Sequence, residues 1–269
     1  MTASMTVLVM AGCGTSGSDP GGDSTDRDAD AGASRTPSVT RSMPASVEER
    51  CKVPVKGEMV TVSAPGGTLS AGAIGDGTTG ALLLHQTSGA GMCGWATYGA
   101  WLADKGVNVL MLDFCTHGQS QCEDALSKDW TAQVKAGVDA LRKRGATSVT
   151  VVGASLGGVV ALGVGQEAGA DAIVDLSGPM EWPGVPDSTS AAKATTVPLL
   201  VSGAAADTGI DVAGLEAAVA ASPATDKRFV PMPGQAHGWS GISDGMSVNP
   251  EFTPLATIVL KWVQGDYAG

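Results

Sequence analysis

The sequence predicts an α/β protein with a mostly parallel central sheet flanked by helices. From Cys51 onward, short apolar runs alternate with stretches whose apolar residues recur at helical spacing, the pattern of strands crossed over by helices. One run, Ala81 to His85, is apolar without alternation until its last residue, as suits a strand buried on both faces. A further run, Ser148 to Ser155, passes directly into a glycine-rich helix start. No internal repeat is visible.

In chain order, Glu58 to Pro65 and Thr68 to Gly75 read as an antiparallel pair turning at Pro65-Gly66-Gly67. The strand Ala81 to His85 is followed by a helix carrying Trp95, Tyr98, Trp101 and Leu102 on one face, stopped at Gly106. Val107 to Phe114 is the next strand. Trp130, Val134, Val138 and Leu141 then mark a helix closed by Gly145. After Ser148 to Ser155 and its small-residue helix, Asp171 to Gly178, Val197 to Gly203 and Lys227 to Gly234 supply further strands, and Thr253 to Val263 a terminal helix.

Composition narrows the function classes. Hydrophobic residues make up 43% of the chain, mean hydropathy is +0.13 and net charge is −11. That charge argues against nucleic acid as a partner, since its phosphates require Lys and Arg. No stretch approaches the roughly 18 apolar residues of a membrane span. Of five cysteines, Cys13 stands alone, leaving Cys51, Cys93, Cys115 and Cys122. Four cysteines fit two disulfides in an oxidising compartment, with three connectivities open. Cys115 with Cys122 would close a local loop, and Cys51 with Cys93 would pin the start of the domain to an early loop.

The N-terminus points the same way. Val7 to Met10 is apolar and runs into Ala11-Gly12-Cys13, which resembles a bacterial lipobox whose cysteine becomes lipidated. Met1 to Val9 carries no Lys or Arg, a departure from that pattern. Residues 14–50 are rich in Gly, Ser, Thr, Asp and Pro without hydrophobic period, as expected of a disordered, solvated tether. The expected organisation is therefore a lipoprotein-type signal segment at 1–13, a tether at 14–50 and a folded domain at 51–269. It implies export and a membrane-surface anchor through Cys13.

The chemistry centres on Gly153-Ala154-Ser155-Leu156-Gly157, a G-x-S-x-G sequence between a strand and a helix. Glycines are needed there because a sharp strand-to-helix turn leaves no room for side chains two residues either side of the serine. A serine hydroxyl needs a base, and the chain offers three histidines, His85, His117 and His237. Oxyanion stabilisation needs backbone N–H groups; Leu156, at the helix start, is one candidate, and Gln86 or Thr87, after the Ala81–His85 strand, the other.

The run from Leu82 to Ser120, with GASLGG, SGAAAD and GQAHGW in that order, resembles the α/β-hydrolase family over roughly residues 80 to 265. Small uncapped, dienelactone-hydrolase-like esterases are the nearest pattern. The resemblance implies the order nucleophile, acid, histidine. His237 is the only histidine after Ser155, so it is the implied base, and Asp207, in the loop after Val197 to Gly203, the implied acid. Asp211 and Asp175 are its rivals, and an N-cap is the bland role for Asp207. His85 and His117 are then loop-packing residues. Where the family carries His-Gly, this chain has His85-Gln86. Either the oxyanion loop is less open, or Gln86 offers its own side-chain amide. About twenty residues separate the strands where the family often inserts a cap, too few for a large lid, so an open, shallow site is expected. By the same analogy Met92, Trp95, Met180, Trp182 and Trp239 lie near the site, as pocket walls or as ordinary packing.

The implied activity is hydrolysis of a small, short-chain carboxylic ester by a monomer, with no cofactor and no metal. Thioesterase, amidase, lactone hydrolase or peptidase chemistry uses the same triad. A non-catalytic envelope lipoprotein of the same fold is the alternative from outside enzymology.

Overall fold

The computed structural model describes residues 43–243 and 249–268. The expected signal segment, Cys13 and nearly all of the expected tether lie outside these residues. Residues 43–50, expected to belong to the tether, are part of the fold. Ser46 caps helix α1 (Val47–Cys51) by accepting from Glu49 N–H at 3.0 Å, and Val47 is fully buried. The domain therefore starts earlier than Cys51.

Strands β1 (Glu58–Ala64) and β2 (Gly67–Ile74) form the predicted antiparallel hairpin. β2 also pairs antiparallel with β4 (Val107–Leu112) and with the short β5 (Gln121–Cys122). The remaining strands run parallel: β3 (Thr79–Leu84), β6 (Ser148–Ala154), β7 (Ala172–Leu176), β8 (Leu199–Ala204) and β9 (Lys227–Met232). Their order, β1-β2-β4-β3-β6-β7-β8-β9, steps outward from β3 in both directions. The order reverses at that strand, so the C-terminal ends of β3 and β6 flank a crevice where ligands bind in open α/β sheets.

The pleat sorts strand side chains to two cores. Leu83, Val152, Val174 and Leu200 pack with α1, α2 (Ala96–Asp104) and α8 (Pro254–Val263), through Tyr98, Leu102, Leu255, Val259 and Trp262. Leu82, Leu84, Val151, Ile173 and Val201 face the other side. There they meet α4 (Trp130–Lys143), α5 (Leu156–Val164), α6 (Ser188–Ala194) and α7 (Val212–Ala221). α4 buries Val134, Val138 and Leu141 at the predicted spacing. Burial of both sheet faces explains the apolar strands, since no face needs polar residues for water.

Between β7 and β8 the chain forms only α6, so no large cap covers the sheet. Cys51 bonds to Cys93 and Cys115 to Cys122, which selects one of the three open connectivities. The first bridge ties α1 to the 3-10 turn Gly91–Trp95. The second closes the loop joining β4 to β5. No helix among the described residues is long and apolar enough to cross a membrane.

Candidate active site

Ser155 stands at the junction of β6 and α5 with φ 50° and ψ −114°. A non-glycine residue rarely occupies this region, and such strain concentrates at functional sites. A β-carbon at Gly153 would lie 1.8 Å from Gly157 O, and one at Gly157 would lie 2.2 Å from Leu84 O. The turn forms only because both are absent. Neighbouring strands hold it, with Ser155 N–H donating to Leu176 O at 2.8 Å and Gly157 N–H to His85 O at 3.1 Å. Ala154 and Leu156 are buried, whereas Ser155 is partly exposed and its side chain does not cap α5.

Asp207 follows β8, its N–H donating to Ala204 O at 2.9 Å. Its Oδ1 accepts from Gly209 N–H at 2.9 Å, and its Oδ2 lies 2.5 Å from His237 Nδ1. The aspartate side chain is 9% exposed and the histidine 35%. A carboxylate only accepts, so Nδ1 carries the proton and the Nε2 lone pair is left to act as a base. The rivals have other work. Asp211 is the N-cap of α7, accepting from Gly214 N–H at 2.9 Å. Asp175 lies wholly buried in β7, its Oδ1 accepting from Gly178 N–H at 2.7 Å. Burial raises its carboxyl to about 7, because a low dielectric disfavours the charged form.

His237 is fixed by Ser240, whose Oγ accepts from His237 N–H at 2.8 Å and donates to His237 O at 2.9 Å. The next residue, Gly238, has φ +56°, and a β-carbon there would come within 3.1 Å of Ala154 Cβ. The histidine loop therefore rests on the residue immediately before Ser155. In this way the fold brings the Ser155 turn, His237 and Asp207 together from the ends of β6, β9 and β8.

Leu156 N–H lies at the first position of α5, where no helical carbonyl is available. On the β3 side, neither Gln86 nor Thr87 N–H donates to a protein acceptor among the described residues. The buried ring of His85 sets this loop. Its Nε2 accepts from Phe114 N–H at 3.1 Å, which leaves Nδ1–H to donate to Gln86 O at 2.8 Å. In a trans peptide C=O and N–H point oppositely, so Thr87 N–H points away from His85. Burial holds His85 neutral, lowering it to about 4. Its ring packs on His117 at a centroid distance of 4.4 Å.

Two expected pocket residues belong elsewhere. Met92 and Trp95 are fully buried and offer a substrate no surface. Trp95 instead donates from Nε1 to Leu84 O at 3.0 Å, anchoring the end of β3. Met180 and Trp182 lie in the β7–α6 loop against the second core, and Trp182 lines an open cavity of about 490 Å³ with Glu181, Pro183, Val185 and Asp187. Trp239 follows the histidine loop directly and meets Trp95 edge-on at 6.1 Å.

One important residue escaped the sequence reading. Asp113, fully buried after β4, accepts from Met92 N–H at 2.8 Å, Ser70 Oγ at 3.1 Å and Arg50 Nη2 at 3.4 Å. It joins α1, β2 and the Gly91–Trp95 turn. An aspartate ending an apolar strand was the available signal. Among the described residues, no group of three or more His, Cys, Asp and Glu could hold a metal ion.

No family model and no curated protein matches the sequence. Solved structures do resemble the fold. An esterase of Pyrococcus furiosus superposes with TM-score 0.58 at 17% identity, covering 80% of this chain and 91% of its own. A dienelactone hydrolase of Anabaena variabilis gives 0.60 at 19%, covering 78% and 97%. A proline iminopeptidase of Mycobacterium smegmatis gives 0.60 at 13%, covering 78% and 99%. The chain has the α/β-hydrolase fold.

Proposed function

We propose that this α/β-hydrolase-fold protein is an exported serine hydrolase acting on short-chain carboxylic esters, with Ser155 as nucleophile, His237 as base and Asp207 as its orienting acid. The observation that carries the reading is the 2.5 Å bond from His237 Nδ1 to Asp207 Oδ2, in a loop resting on the strained serine turn. Ser155 Oγ attacks the ester carbonyl carbon while His237 Nε2 takes its proton. The bond to the alcohol oxygen breaks, and His237 returns the proton to the departing alkoxide. Water then repeats the sequence on the acyl-enzyme, releasing the acid and restoring the serine. The N–H groups of Leu156 and Thr87 are the donors that meet the negative oxygen of each tetrahedral state.

Small esters suit a site with only α6 in the segment where a cap would stand. The esterase and dienelactone hydrolase neighbours share the fold, and the iminopeptidase warns that fold alone does not choose the scissile bond. Export is supported by the two disulfides, and the membrane anchor by the lipobox-like Ala11-Gly12-Cys13.

A p-nitrophenyl ester series from acetate to palmitate, with p-nitroanilides beside it, tests the reaction. We expect the shortest esters to turn over fastest and the anilides to be inert. Ser155→Ala or His237→Ala should lower kcat by about 10³-fold or more, with the double variant little worse, because a triad acts as a unit. A wild type inert to every ester would end the proposal. For the anchor, Cys13→Ala should move the protein from the detergent to the aqueous phase; identical partitioning would refute lipidation.

A further inference from the structure

Gln86 sits where the family pattern has glycine, and its side chain has no hydrogen-bond partner among the described residues. β3 and β6 pair as far as Leu84 opposite Gly153, and His85 O then accepts from Gly157 N–H, so the loop that carries Gln86 leaves β3 beside the serine turn. Its main chain is held rigidly, with Gln86 O accepting from His85 Nδ1–H and from Ser88 N–H, both at 2.8 Å. The side-chain oxygen is buried without a hydrogen-bond partner. It lies in the space a β-carbon at Gly238 would need, which would come within 2.4 Å of Gln86 Oε1. The amide is thus wedged beside Gly238, which follows the base and packs on Ala154, which precedes the nucleophile. The residue is only partly buried, and its amide nitrogen is not among the buried unpaired atoms. Among the described residues no acceptor takes that nitrogen. The oxygen is the buried unpaired atom, and its burial against Gly238 leaves the nitrogen as the end of the amide that a bound group can meet.

We propose that Gln86 is a catalytic residue whose side-chain N–H donates a third hydrogen bond to the acyl oxygen, beside Leu156 and Thr87 N–H. The inference rests on the serine-hydrolase reading above. A substrate carbonyl oxygen is an acceptor and so selects the nitrogen end of the amide. Negative charge grows on that oxygen only as the tetrahedral state forms, so the donor acts on kcat more than on KM.

The test uses the full chain with p-nitrophenyl acetate, active sites counted by fluorophosphonate titration and folding checked by thermal melts. Gln86→Met keeps the bulk and removes the donor; Gln86→Glu keeps the shape and substitutes an acceptor. We expect kcat to fall roughly 10- to 100-fold in the Met variant with KM little changed, and further in the Glu variant. Inhibition by benzeneboronic acid, which mimics the tetrahedral state, should weaken in step. A Met variant with wild-type kcat and boronate affinity would reduce Gln86 to a space-filler and overturn the proposal. Should Met or Glu prevent folding, Gln86→Asn retracts the amide by one methylene, and undiminished kcat there overturns it equally. If the wild type itself takes no fluorophosphonate, the hydrolase reading fails, and this inference with it.

Discussion

Asp207 and His237 lie 30 residues apart, and the direction of their hydrogen bond decides what the imidazole can do. With Nδ1–H committed to the carboxylate, Nε2 keeps its lone pair, as the proposed role toward Ser155 requires. Asp207→Asn offers an amide that can donate instead, favouring the wrong tautomer while barely changing shape. We expect kcat to fall by about 10⁴-fold with an unchanged melting temperature, measured by ester turnover and calorimetry; retained activity would remove Asp207 from the triad. At this scale chain order singled out Asp207 and His237, and the structure joins the two by a hydrogen bond. The sequence was uninformative about depth. Met92 and Trp95 sit in a loop beside the site in sequence, yet both are core residues, because the 3-10 turn Gly91–Trp95 folds them beneath β3. Burial of that kind is tertiary information that a local pattern does not carry.

The serine turn is an element defined by what it lacks. Gly157→Ala would press a methyl group against the carbonyl of Leu84 at 2.2 Å, and backbone on both sides leaves no route to relieve it. We expect that variant to lose activity even where it still folds, with p-nitrophenyl acetate as the assay; normal turnover would show that the turn is looser than described. The disulfides brace elements rather than reacting groups. Loop-closure entropy assigns about 4 kcal/mol to a bridge spanning 42 residues and about 2.5 kcal/mol to one spanning 7. Replacing Cys51 and Cys93 with serine should therefore destabilise the domain more than replacing Cys115 and Cys122, as read by urea midpoints. The reverse order would point to native-state strain or to residual structure in the unfolded chain. α1 was missed in the sequence although Ser46-x-x-Glu49 is a capping signature, because five residues are too few to show periodicity. The longer helices and the apolar strands were legible for the opposite reason, their length and their burial on two faces.

For the molecule as a whole, two buried groups shape stability in opposite directions. Asp175 titrates at about 7 in the fold against 3.8 ordinarily, so between these values the native state holds the extra proton. Its contribution is complete below pH 3.8 and lost as pH rises to 7. His85 titrates at about 4 against 6.5, so the unfolded chain holds the extra proton. Its contribution is complete above pH 6.5 and lost as pH falls to 4. Across pH 4 to 6.5 the two slopes, each about 1.4 kcal/mol per pH unit, cancel. The unfolding free energy of Asp175→Asn minus that of the wild type should therefore rise by about 1.4 kcal/mol per unit from pH 4 to 7; a flat difference would mean that Asp175 does not titrate there. On the proposed reading the fold presents one activated serine, Ser155. Treating the folded protein with a fluorophosphonate and mapping the adduct by mass spectrometry tests this most directly. We predict one adduct per chain, on Ser155, abolished by prior unfolding and by His237→Ala. An unlabelled native protein, or an adduct on another residue, would rule Ser155 out as the nucleophile.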